Sequence, residues 1–167
     1  MKKRYIILLS LVAILLSGCI TSQNTHQQRD QKSKFIVMKT PVFRYADQGF
    51  VYKGSSTTKI EIYSSGVVVM KLDIAKGKVC NGSGLFSCMS KKEFNKRYLS
   101  ASYPDDMLEK IFRGEAIFTG KNLIKKDKGF VQKITLAGSY NIDYTVLSDS
   151  IVFRDTVSNI LIKVKDV

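Results

Sequence analysis

Residues 58–74 read TKIEIYSSGVVVMKLDI, and their alternation limits the fold more than any other feature of the chain. Ile60 and Ile62 are interleaved with Lys59, Glu61 and Tyr63. After Ser64-Ser65-Gly66 the apolar series resumes as Val68, Met70, Leu72 and Ile74, set against Lys71 and Asp73. A period of two with one polar side belongs to antiparallel strands that cover something apolar on one face only. The same period returns elsewhere. PVFRYADQGFVYKG reads as two short runs about a turn at Asp47-Gln48-Gly49, with Phe43 and Tyr45 on the apolar side. GFVQKITL sets Phe130, Ile134 and Leu136 against Val131, Lys133 and Thr135. SYNIDYTV sets Tyr140, Ile142, Tyr144 and Val146 against Asn141, Asp143 and Thr145. SIVFRD and NILIKVKDV continue the series with Ile151, Phe153, Ile160, Ile162 and Val164. The connections are short, so a meander of about eight strands is expected.

The middle of the chain changes period. SKKEFNKRYL opens with Ser90 and Glu93 at capping-box spacing and places Phe94 and Tyr98 four residues apart on one helical face. PDDMLEKIFRG has Pro104 in the first turn and Asp105 and Asp106 at the positive helix end. Met107, Leu108, Ile111 and Phe112 form its stripe, and Gly114 its stop. Strands, two short helices and strands again give an α+β, mainly β fold: one curved antiparallel sheet, an open half-barrel, with both helices packed on its concave face.

The amino terminus obeys other rules. Lys2, Lys3 and Arg4 precede an apolar run from Tyr5 to Leu16 that is shorter than the roughly 20 residues a spanning helix needs. Small residues Ser17 and Gly18 then lead to Cys19, as in an export signal with its cleavage site. Leu16-Ser17-Gly18-Cys19 resembles the lipobox of bacterial lipoproteins. The resemblance implies diacylglycerol on Cys19, cleavage before it and acylation of the new amino terminus. Residues 1–18 are thus expected to be a lipoprotein signal peptide. Residues 19–34, polar after the acylated cysteine, form a disordered tether with a reach of roughly 20 Å. Residues 35–167 make up the β-rich domain.

Loss of residues 1–18 leaves 149 residues, enough for one core, and lowers the formal charge from +13 to +10. For an exported chain such an excess points to anionic lipid or an acidic protein surface, or simply to solubility, and not to nucleic acid. The lysines are scattered over turns and outward strand positions. Cys80 and Cys88, separated by NGSGLFS, are expected to form a structural disulfide, since their spacing is not C-x-x-C and zinc would need about four ligands.

Nothing in the chain marks an enzyme, a metal site or a cofactor. Its one histidine, His26, lies in the tether. The Asp105-Asp106 pair is explained by the helix dipole, and the Gly82/Gly84 pair by turn geometry. The apolar face itself is left as the candidate site, and it is either a filled core or a lipid-sized interior with the helices as lid.

The order of elements resembles the LolA/LolB family of lipoprotein carriers. A lipobox, a polar tether and antiparallel strands come first. A turn into LDIAKGKV, an S-x-x-E helix and the helix of YPDDMLEKIFRG follow, and the closing strands end in NILIKVK. With its own lipobox the chain is more similar to LolB, the outer-membrane receptor. The resemblance implies an open barrel that binds acyl chains of lipoproteins, takes them from a periplasmic LolA-like carrier and aids their insertion in the outer membrane. The protein would be a lipid-anchored, periplasm-facing monomer. Residues expected to line the lipid cavity are Phe43, Tyr45, Ile60, Ile62, Val68, Met70 and Leu72 from the first strands and Phe94, Leu108, Ile111 and Phe112 from the helices. Ile134, Ile142, Tyr144 and Phe153 complete the set. LolB-type receptors carry an exposed apolar residue between central strands, whereas Tyr63-Ser64-Ser65-Gly66 has a polar tip. Leu85 and Phe86 in the cysteine loop are therefore the candidates for membrane contact. The alternative is a lipoprotein with a packed core that binds a protein partner, as an envelope accessory or adhesin.

Overall fold

The alternating residues 58–74 form a hairpin of β3 (Thr58–Ser64) and β4 (Val67–Ala75). Its tip holds Ser65 and Gly66 at φ 49° and 80°, the positive pair that a tight two-residue turn between twisted strands requires. The computed structural model describes residues 32–82 and 87–167. Around this hairpin the strands β1 (Lys34–Lys39) and β2 (Arg44–Lys53) continue on one side, and β5 (Lys78–Asn81) and β6 (Ser87–Ser90) on the other. After the helices come β7 (Leu123–Lys126), β8 (Gly129–Leu136), β9 (Tyr140–Leu147), β10 (Ser150–Asp155) and β11 (Ile160–Asp166).

All strand pairs are antiparallel, in the order β6-β5-β4-β3-β2-β1-β11-β10-β9-β8-β7. The sheet is two meanders joined where the first strand pairs with the last, Ile36 opposite Val164 and Met38 opposite Ile162. β6 and β7 are its edges, so the 11-stranded sheet is not closed. The expected turn at Asp47-Gln48-Gly49 is instead the middle of β2: all three residues pair with β1, and Gly49 pairs with β3 as well. Gly49 serves close approach: a Cβ there would lie 2.2 Å from the Glu61 carbonyl oxygen and 2.9 Å from Ile36 Cδ1.

The helices are α1 (Lys91–Tyr98) and α2 (Met107–Arg113). Ser90 caps α1, its hydroxyl accepting from the Glu93 N–H at 3.1 Å. α2 ends at Gly114 with φ 69°, the left-handed conformation that glycine adopts without steric cost. Lys91 on α1 pairs with Glu109 on α2 at 2.5 Å. Both helices contribute to one buried cluster with the inward strand residues, including Phe94, Met107, Leu108, Ile111 and Phe112. Residues 31–167 are a compact unit by themselves, and the core of the described residues runs from Ile36 to Val164. Among the described residues, no helix is long and apolar enough to cross a membrane.

Candidate functional site

Directly opposed residues share a face of a sheet, so the register sorts side chains without ambiguity. Ile62 opposes Met70, Ile74 opposes Val79, and Val79 opposes Met89; all point toward the core. One irregularity changes the expected lining. Ile62 pairs with Met70, but Tyr63 pairs with Val68, which leaves Val69 as an extra residue in a β-bulge. Val68 therefore shares the outer face with Tyr63 and is 36% exposed, so its expected place in the cavity is corrected. Val69 takes that place.

Val69, Met70 and Leu72 of β4, Val79 and Asn81 of β5, Met89 of β6, Phe94 and Tyr98 of α1, and Phe43 and Tyr45 at the start of β2 enclose a partly open apolar cleft. Its rings touch in a chain: Phe43 lies 5.8 Å from Tyr45 and 5.7 Å from Tyr98, and Phe94 lies 4.9 Å from Tyr98. The cavity is about 90 Å³, well under the roughly 300–1,000 Å³ of pockets that hold drug-sized ligands. A longer apolar guest requires a wall to move.

Of the expected lining residues, Phe43, Tyr45, Met70, Leu72 and Phe94 meet at this cleft. The others do not. Ile60, Ile62, Ile134, Ile142, Tyr144 and Phe153 from the strands and Leu108, Ile111 and Phe112 from α2 are at most 2% exposed and pack together in the core. Tyr144 also fixes the end of that helix, its hydroxyl donating to the Glu115 carbonyl at 3.1 Å. Burial pushes the Tyr144 phenol well above its usual range, with Glu115 adding to the shift, so it stays a neutral donor. Cys80 and Cys88 stand directly opposite across β5 and β6, 4.0 Å apart at Cα, and are disulfide-bonded. Cys19, Leu85 and Phe86 lie outside the described residues.

Among the buried polar groups that escaped the sequence reading, two are anchored by several partners. Gln132, fully buried on β8, accepts from the Ile117 N–H at 2.9 Å and donates to the carbonyls of Ile117 at 3.0 Å and Lys121 at 2.7 Å. It stands at an inward position of GFVQKITL, and a polar residue on an apolar stripe was the available signal. Asp155 accepts from the Tyr103 hydroxyl at 2.5 Å and from the backbone of Asn141 and Val157. Burial raises its pKa, but these donors, Tyr103 foremost, outweigh burial and hold it below the usual carboxylate range. Both groups are satisfied by fixed partners and serve the fold. On the outer face, Glu61 is likewise engaged, by Lys59 at 2.8 Å and by the hydroxyls of Tyr63 and Tyr52. Among the described residues no group of three His, Cys, Asp or Glu is placed to hold a metal ion. The cleft has the makings of an apolar binding site. Compared with models of known protein families the chain matches none, and no curated protein matches it in sequence.

Proposed function

We propose that this is a lipid-anchored envelope protein, held at the periplasmic side of the outer membrane through Cys19, that takes up an acyl chain of a lipoprotein in the cleft beside α1. The observation that carries the reading is the cleft itself: an open apolar space lined by Phe43, Val69, Leu72 and Phe94 and continuous with the core. The architecture agrees with a LolB-like half-barrel. α2 contacts both β3 and β10, which are four strand spacings apart in the sheet. On a flat sheet that is about 19 Å, more than a helix of roughly 10–12 Å diameter can bridge. A sheet curled around α2 accounts for the contacts of that helix; the same concave side for α1 is part of the proposal.

One wall of the cleft belongs to the edge. α1 rests on β5 and β6, the last strands of the sheet. Edge elements yield at lower cost than a central layer, so swinging α1 outward lengthens the cleft without opening the core under α2. Each methylene buried there contributes roughly 0.8 kcal/mol. Release follows when a bilayer offers the chain a deeper apolar site, so transfer needs only a difference in affinity. The experiment is native mass spectrometry and fluorescence titration of the chain from Ile20 to Val167 with a fatty-acid probe. Stoichiometric binding, abolished by Val69→Trp, is the expected result; a folded chain that binds no probe refutes the reading.

A second reading has its own support. Nine of the expected lining residues are packed in the core on and around α2 and do not line the cleft, which favours a packed domain that binds a protein partner as an envelope accessory or adhesin. Co-purification of a stoichiometric protein partner with a lipid-free domain would favour it.

A further inference from the structure

The cations that look scattered along the sequence are gathered by the strand register. On the outer face of β2, β1, β11 and β10, three rows run across the strands. Gln48, Phe35, Lys165 and Ser150 form the first; Ala46, Val37, Lys163 and Val152 the second; Arg44, Lys39, Leu161 and Arg154 the third. The opposite faces of these strands carry Ile36, Met38, Ile162 and Phe153, all buried, so the three rows face away from the core. No acidic side chain stands in any row.

The nearest acids on the flanking strands are already engaged. Asp143 on β9, opposite Arg154, is 3.5 Å from Lys133, and Glu61 on β3 is held by Lys59 and two tyrosines. Among the described residues, Lys39, Arg44, Arg154, Lys163 and Lys165 make no ion pair. Lys39 and Arg44 are directly opposed, an arrangement that destabilises a strand pair when nothing neutralises it. Apolar side chains are interleaved with these cations, and Phe35 is 41% exposed.

We propose that this cationic face of β2, β1, β11 and β10 is a docking surface for a bilayer containing anionic phospholipid. Charge complementarity selects an anionic partner. The intervening Phe35, Val37, Leu161 and Val152 select a lipid surface over a purely polyanionic one, because a headgroup layer accepts apolar side chains at the acyl boundary. Geometry agrees, on the anchor reading given above: the tether from Cys19 runs directly into β1, so an anchored chain holds this face within about a tether's length of the membrane. The lipid anchor fixes distance, and the cationic face adds orientation.

The test uses the chain from Ile20 to Val167, which holds the whole described core and no acyl anchor, in co-sedimentation with phosphatidylcholine vesicles with and without phosphatidylglycerol. Each cation at an anionic surface contributes roughly a fivefold gain in partitioning. Binding to the anionic vesicles alone is expected, weakening as salt rises. Lys39→Gln, Arg44→Gln, Arg154→Gln, Lys163→Gln and Lys165→Gln together should lower it at least about a hundredfold. The same charge change at Lys76, Lys78, Lys125, Lys126 and Lys128, exposed on other turns and strands, should lower it much less. Equal losses in the two variants, equal binding to neutral vesicles, or binding to a soluble polyanion such as heparin without vesicle binding overturns the proposal. The fatty-acid probe separates the two readings. A chain that binds the probe but not vesicles refutes the docking face alone; one that binds vesicles through this face but not the probe refutes the cargo reading alone.

Discussion

The two helices sit in unlike surroundings. α2 lies in the middle of the molecule, with Met107, Leu108, Ile111 and Phe112 all buried and contacts to strands from both meanders. α1 lies at the edge, burying Phe94 and Asn95, with Tyr98 half-exposed over the cleft. Their lengths are similar, eight residues and seven, so the difference comes from what surrounds them. A helix gripped by both meanders is a structural keystone, and one on a marginal hairpin can move. On the proposed reading, the stability of this fold and its capacity to take a guest therefore belong to different helices.

Truncating each helix at its largest buried ring is the strongest way to break that contrast. Phe112→Ala removes a fully buried ring from the packed side and should cost about 3–5 kcal/mol. Phe94→Ala borders a space that already exists, so less new cavity forms, and a loss of roughly 2–3 kcal/mol is expected. Denaturant unfolding of the two variants measures this. Equal losses would mean that α1 is as firmly seated as α2.

Next in size is the disulfide. Replacing Cys80 and Cys88 with serine should cost about 2–3 kcal/mol, the effect of opening a loop this short. The consequence should be local. Faster amide exchange is expected in β5, β6 and α1, with β8–β10 unchanged, and uniform acceleration across the sheet would remove the distinction between edge and centre.

On the packed side, two polar anchors give smaller effects. Gln132→Leu strands the Ile117 N–H and two carbonyls, at a cost of about 1–3 kcal/mol by thermal or denaturant unfolding. Asp155 adds a pH dependence. Its pKa is lower in the folded chain than in the unfolded one, so the stability it contributes is complete above the ordinary carboxylate pKa. That stability is lost as pH falls toward the depressed folded value. Tyr103→Phe removes the foremost of the donors that lower it, and should reduce both neutral-pH stability, by about 1 kcal/mol, and the steepness of the acid-side decline. An unaltered acid limb in this variant would assign the acid sensitivity elsewhere.

Much of this was legible in the residues, and the failures share a cause. The cap of α1 and the stop of α2 were legible because they are local: Ser90 and Gly114 act on bonds within one turn, whereas Pro104, expected in the first turn of α2, precedes its start at Met107. The alternating runs gave most of the strands, about eight expected against eleven found, and the inward face except at Val68 and Leu136. Misreadings arose where a residue answers to a neighbour far away in sequence. Gly49 reads as a turn residue, yet it is glycine because β3's backbone passes too close for a side chain. Lys39 and Arg44 are distant along the chain from Arg154, Lys163 and Lys165, and the two groups become neighbours only through the pairing of β1 with β11. Whether the apolar face is filled depends on how the helices settle, which no strand pattern encodes; the answer differs between α1 and α2.

The smallest expected effect tests that point most sharply. Val67-Val68-Val69 is uniformly apolar, so its composition carries no alternation, and counting back from Met70 makes Val68 inward. The bulge reverses this: Val68 opposes Tyr63 on the outer face, and Val69 lines the cleft. Val68→Lys should then change stability by no more than about 0.5 kcal/mol, as for an ordinary surface site. Val69→Lys introduces a charge among Phe43, Met70 and Phe94, costs more by roughly 1–2 kcal/mol, and should also block the fatty-acid probe. If the two substitutions exchange their effects, β4 runs without the bulge and Val68 lines the cleft after all. The distinction is worth measuring because one unpaired residue decides which valine lines the cleft and which faces outward.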